Sequence, residues 1–164
     1  MTIRPIRVWG DPVLRTPTDP VTTFDAELQR LLDDMFDTMY DAPGVGLAAN
    51  QIGVGLRVFV FDVEGAKGVV ANPVLEVSEE EQSGDEGCLS VPGLAYIRRR
   101  AMHATVSGLD AHGEPITLSA SGLLARCFQH ETDHLNGEIY VDKLDRDERK
   151  TAMKDIREAN WAAV

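Results

Sequence analysis

Between positions 28 and 39 the apolar residues Leu28, Leu31, Leu32, Met35 and Met39 recur every three or four places, which puts them on one face of a helix. The spacing predicts a helix over 25–41. Thr23 suits its N-cap, Asp25 and Glu27 suit the first turn, and Pro43–Gly44 end it. GVGLAANQIGVG (44–55) carries four glycines and reads as a loop with close backbone approach. LRVFVFDV (56–63) reads as a strand, EGAKG as a turn, and VVANPVLEVS (69–78) as one or two further strands. EEEQSGDEG (79–87) reads as an acidic, solvated connection. AMHATVSGLD (101–110) and EPITLSA (114–120) form a strand pair joined through 110–113. SGLLARCFQHETDHLNG (121–137) is a helix, with Ser121 as its cap and Gly137 as its stop. EIYVDKL (138–144) reads as a short strand, and about 145–163 as a second long helix. The proline-rich first 22 residues should wrap the surface.

Composition narrows the class. The chain has 164 residues, enough for one domain with a real core, so a single catalytic domain over 1–164 is expected. No apolar run approaches the roughly 18 residues of a membrane span, and the opening MTIRPIRVWGDP lacks a signal-type apolar region. A soluble, cytoplasmic protein with no membrane partner is the expectation. Two cysteines, Cys88 and Cys127, are too few for a disulfide framework. The net charge of −11 argues against broad nucleic-acid binding. Residues 143–164 run against it, with six basic and five acidic side chains.

The chemistry concentrates at 130–134. His130, Glu131 and His134 spell H-E-x-x-H. In a helix His130 and His134 share a face and can hold one ion, while Glu131 can reach a water beside it. Gly137 extends the match toward H-E-x-x-H-x-x-G-x-x-H, but Tyr140 stands where the last histidine would be. Three residues are candidates for a third ligand. Cys127 is seven positions from His134, roughly 10 Å along a helix axis, which a short side chain closes with difficulty. Glu158 sits in the basic tail. Cys88, in DEGCLSVPG, lies on a separate segment and could approach from outside.

GVGLAANQ, EGCLS and QHETDH occur in that order. They resemble the three signature motifs of the peptide deformylases, G-x-G-L-A-A-x-Q, E-G-C-L-S and Q-H-E-x-D-H, and the resemblance to the bacterial enzymes runs along nearly the whole chain. It implies an α+β fold with mixed or antiparallel sheets packed around a central H-E-x-x-H helix, and a C-terminal helix. It implies that Cys88, His130 and His134 bind one divalent metal, with water as fourth ligand. Ferrous iron is expected; zinc, nickel or cobalt can take its place, and a Cys-His-His set suits zinc at least as well. Glu131 is implied as general base and then acid, with the Leu89 backbone N–H and the Gln51 amide stabilising the oxyanion. Val45, Gly46 and Gly87 would give main-chain contacts to a peptide lying as an added strand, and Leu123 and Cys127 would line a pocket for its methionine. The implied substrates are N-formylmethionyl nascent peptides, which lose formate.

Three side readings complete the picture. Arg126 departs from apolar surroundings beside that pocket. Asp133 is expected to pair with Arg100 and steer neighbouring groups, whereas His103 and His112 read as structural. Arg146, Lys150, Lys154 and Arg157 form a cationic stripe on the tail helix, which the resemblance associates with docking at the ribosome.

Overall fold

The computed structural model describes residues 2–163; Met1 and Val164 lie outside the described residues. After a 3-10 turn at Pro12–Arg15 come helix α1 (Ala26–Asp41), strand β1 (Gly46–Ala48) and a 3-10 turn at Ala49–Ile52. Six strands follow: β2 (Val58–Val63), β3 (Ala66–Val77), β4 (Glu81–Cys88), β5 (Val91–Ala101), β6 (His103–Leu109) and β7 (Pro115–Ser121). Helix α2 (Gly122–Leu135), a 3-10 turn at Tyr140–Lys143, helix α3 (Arg146–Glu158) and a 3-10 turn at Asn160–Ala163 complete the chain.

This is the expected α+β architecture. All strand pairs are antiparallel, in a five-stranded sheet of order β1-β2-β3-β6-β7 and a separate β4-β5 hairpin. Helix α2 lies against the five-stranded sheet, and the end of β5 packs on it too. Phe128 of α2 is fully buried and meets Phe61 edge-on at 5.2 Å, with Phe59 at 6.2 Å. Helix α1 buries Leu28, Leu31, Leu32, Met35 and Met39 against Leu47, Val58 and Val60. Helix α3 buries only Ala152 and Ile156, in a cluster with Val91, Tyr96 and Tyr140. Among the described residues no helix is long and apolar enough to cross a membrane.

Several local expectations are corrected. The acidic stretch 79–87 is no solvated connection: most of it is β4, with Glu86 turned inward beside Arg100. Gln82, Gly84 and Glu86 are the less exposed positions, so an alternation of burial with period two runs beneath the charge. Strand β5 carries Pro92, Gly93 and three arginines and had no strand reading. The span 138–144 forms a 3-10 turn rather than a strand, because the Asp142 carboxylate accepts from Ile139 N–H and closes the chain locally. The glycine-rich loop contains β1 and a 3-10 turn. The turn at 64–68 shrinks to Glu64–Gly65, both at positive φ, and β3 absorbs the rest. Asp25 rather than Thr23 caps α1, accepting from Leu28 N–H at 3.0 Å. Ser121 holds the N-cap position of α2 without a side-chain bond, and the tail α-helix ends at Glu158.

Candidate active site

Two elements build the site. Helix α2 presents His130 and His134 one turn apart, their Nε2 atoms 3.2 Å from each other. The β4-β5 hairpin brings Cys88 to its tip. A register shift between Gly87 and Cys88 sets Cys88 opposite Val91 across a two-residue turn; such a bulge re-aims a side chain. Cys88 Sγ lies 3.2 Å from His134 Nε2. The three ligand atoms all fall within 4.8 Å of one another. Donors sharing one tetrahedral ion at bonds of about 2.0–2.3 Å would be roughly 3.3–3.6 Å apart, so the set fits a single cation. Cys127 and Glu158 stand outside this group: Cys127 is buried with Sγ toward the Val45 carbonyl at 3.9 Å, and Glu158 is exposed.

The neighbours fix the orientation of the imidazoles. Glu86, only 5% exposed, accepts from Nδ1 of His130 at 2.7 Å. That points Nε2 of His130 toward Cys88 and His134. Arg100 binds Glu86 through Nε and Nη2, and reaches Asp133 with Nη1 at 2.6 Å. Arg126 adds a fourth donor to Glu86, at 2.8 Å. Burial works against the Glu86 charge, but hydrogen bonds from His130 and Arg100 outweigh it and hold the carboxyl well below its usual range. Burial likewise opposes charge on His130, yet its bonds to Cys88 and Glu86 carry it well above the usual histidine range. Burial and the His130 charge push His134 well below. The two imidazoles are thus driven in opposite directions, His130 toward its charged form and His134 toward its neutral one.

Other residues close the site. Glu131 is buried and its Oε1 has no partner among the described residues; burial, with Glu86 nearby, raises its carboxyl to about 7. The Gln51 amide is held one way round, since Oε1 accepts from Ala48 N–H at 3.0 Å. Its Nε2 therefore faces the site, 3.1 Å from Ser90 Oγ and 3.7 Å from Cys88 Sγ. Tyr140, at the position of the absent third histidine, stacks its ring against His130 at 6.0 Å. The end of α2 is stitched down from afar: Asn50 Nδ2 donates to the His134 carbonyl, while Thr18 and Arg57 donate to that of Leu135.

A cavity of about 390 Å³ opens beside these groups. Val45, Gly46, Gly87, Leu123 and Cys127, the substrate-side residues expected from the sequence, all line it, together with Leu89, Gln51, Glu131 and His130. Gly46 is required where it stands, because a Cβ there would lie 2.5 Å from Glu131 Oε2 and 2.8 Å from Cys127 Sγ. His103 pairs with Glu80 at the surface and His112 is exposed. Sequence reasoning missed Glu86. It heads the EGCLS motif, which was the available signal, but it stands inside a charge run that reads as solvated.

Comparison with known proteins decides the family. The sequence profile described as "Polypeptide deformylase" matches residues 3–150. This chain belongs to the polypeptide deformylase family. It is 61% identical over 162 residues to a peptide deformylase of Acidothermus cellulolyticus, covering 99% of this chain and 90% of that protein. It is 55% identical to one of Parafrankia sp., with 99% and 90% covered. Among solved structures, a peptide deformylase from Legionella pneumophila superposes with a TM-score of 0.90 at 48% identity, over 96% of this chain and 95% of that one. A peptide deformylase from Ehrlichia chaffeensis in complex with actinonin gives 0.89 at 35%, over 96% and 98%. As a deformylase-family member the chain is a hydrolase, and its Cys-His-His group is one that could bind the metal on which the family depends.

Proposed function

We propose that this protein hydrolyses the N-terminal formyl group of formyl-methionyl nascent polypeptides, releasing formate and a free methionine amine. The observation that carries the reading is the convergence of Cys88, His130 and His134 with Glu131 and Gln51 on one cavity. Cys88, His130 and His134 would hold one divalent ion, which we take to be ferrous iron, with zinc, nickel or cobalt able to replace it. Such an ion supplies a Lewis acid and lowers the pKa of water at the site.

The chain's own residues do the rest. Glu131 takes a proton from the attacking water and delivers it to the departing amine as the formyl C–N bond breaks. Gln51 Nε2 and the Leu89 N–H hold the carbonyl oxygen as it gains charge; an amide donates there without titrating. Val45, Gly46 and Gly87 offer backbone to an extended peptide, and Leu123 and Cys127 receive its first side chain. Asp133 keeps Arg100 pointed at Glu86, which orients His130.

We take the protein to act in the cytoplasm as one catalytic domain spanning 1–164. Arg146, Lys150, Lys154 and Arg157 are all exposed on α3, and we assign that stripe to ribosomal RNA. Because α3 also buries Ala152 and Ile156, charge reversal of the four cations is a cleaner test than deletion of the tail.

Purified anaerobically, the protein should release formate from formyl-methionyl peptides and leave end-blocked peptides uncut internally. Glu131→Ala should keep the metal and lose turnover. Internal cleavage without formate would instead mark an endopeptidase.

A further inference from the structure

The cavity wall that holds Leu123 and Cys127 also contains Arg126, which is 7% exposed. Both hydrogen bonds that Arg126 makes among the described residues leave from Nη1, to Glu86 Oε1 at 2.8 Å and to the Arg98 carbonyl at 3.0 Å. Nε and Nη2 have no such partner. The bond to Glu86 fixes the planar guanidinium in place, so its remaining donors are oriented in advance. A charge-assisted hydrogen bond from such a fixed donor to a ligand acceptor is roughly twice as strong as a neutral one. Val45, Leu94 and Leu123 around it are apolar. The cavity therefore combines an apolar stem with a charged donor, and that combination suits a short aliphatic side chain ending in an acceptor.

Resting on the reading that this cavity takes the first side chain of a formylated peptide, we propose that Arg126 extends the substrate class to N-formyl peptides whose first residue ends in a hydrogen-bond acceptor, N-formyl-methionine sulfoxide foremost. The thioether of methionine is a weak acceptor and norleucine has none, whereas oxidation makes the methionine side chain polar at its end. Arg126 is a specificity residue in this scheme and takes no part in proton transfer.

Three formyl peptides differing only in the first residue test it: methionine sulfoxide, methionine and norleucine. In the unaltered enzyme kcat/KM for the sulfoxide should equal or exceed that for norleucine. Arg126→Met should lower the sulfoxide-to-norleucine ratio by about 10-fold or more, the usual range for a hydrogen bond to a charged group. Arg126→Lys keeps a donor and should give an intermediate ratio. The same ratio in Arg126→Met as in the unaltered enzyme overturns the proposal, as does a uniform fall on all three peptides. A sulfoxide rate far below the norleucine rate in the unaltered enzyme overturns it without any variant. Turnover of none of the three by the unaltered enzyme overturns the deformylase reading itself, and this proposal with it.

Discussion

Nδ1 of His130 donates to Oε2 of Glu86 at 2.7 Å, and the same carboxylate carries Arg100 and Arg126. One buried acid thus balances two guanidinium groups and orients a ligand nitrogen. Glu86→Ala would leave Arg126 without its carboxylate and Arg100 with Asp133 alone, and breaking a buried pair by removing one partner costs about 3–5 kcal/mol. Chemical denaturation should show a loss of that order. Glu86→Gln keeps the shape but weakens the hold on His130, so metal affinity should fall about 10–100-fold, as read by competition with a chromophoric chelator. Unaltered affinity in Glu86→Gln would remove Glu86 from the site.

Gly46 is a steric requirement. Its φ is not positive, so alanine is conformationally allowed there, but the added methyl would meet Glu131 Oε2 at 2.5 Å and Cys127 Sγ at 2.8 Å. A displacement of this size at a reacting group costs about 10²-fold in rate. Gly46→Ala should therefore lose about that much kcat/KM on a formyl-methionyl peptide while its melting point changes little. Near-normal kcat/KM would show that Glu131 has room to yield.

Metal removal should be visible in stability. A ligand at a hundred times its Kd adds about 2.7 kcal/mol to the native state, which for a chain of this size is roughly 5–10 °C. Melting curves with and without chelator should differ by that amount in the unaltered protein and coincide in Cys88→Ala. Cys127→Ala, with its thiol outside the ligand group, should retain the difference. A chelator effect that survives in Cys88→Ala would place the ion elsewhere.

Phe128 joins α2 to the sheet through Phe59 and Phe61. Phe128→Ala should cost about 3–5 kcal/mol in a denaturant titration. The cavity lies beside the ligands on the same helix, so metal affinity should drop as well. A cost below 1 kcal/mol would mean that the core collapses to fill the space.

These residues also show what sequence can and cannot disclose. Helix α1 was legible because five apolar side chains share one face, and β2 because its run of valine and phenylalanine has no helical period. The ligand pair was legible because i, i+4 spacing is itself the geometry. Cys88 needed the resemblance, since nothing local to it says which helix it will meet. Glu86 was hidden by its neighbours: Glu79, Glu80 and Glu81 are exposed, and composition averages a buried acid with solvated ones. Arg126 was noticed as an exception, but which way it points depends on Glu86, forty residues away in the chain. Burial of charge is a property of pairs, and a single-chain pattern reports residues one at a time.

The far end of α2 is fastened by residues distant from it in the chain. The carbonyls of His134 and Leu135 find their partners at positions 18, 50 and 57, across separations of 78 to 117 residues. Contacts so remote in the chain carry a larger loop-closure cost than local ones. Asn50 follows β1 and Arg57 precedes β2, so the sheet that carries them also anchors the end of the ligand helix, with Thr18 of the amino-terminal arm as a third tie. Strands and ligand helix therefore share their fastenings, and damage to the β1–β2 edge reaches the metal-ligand pair through a carbonyl.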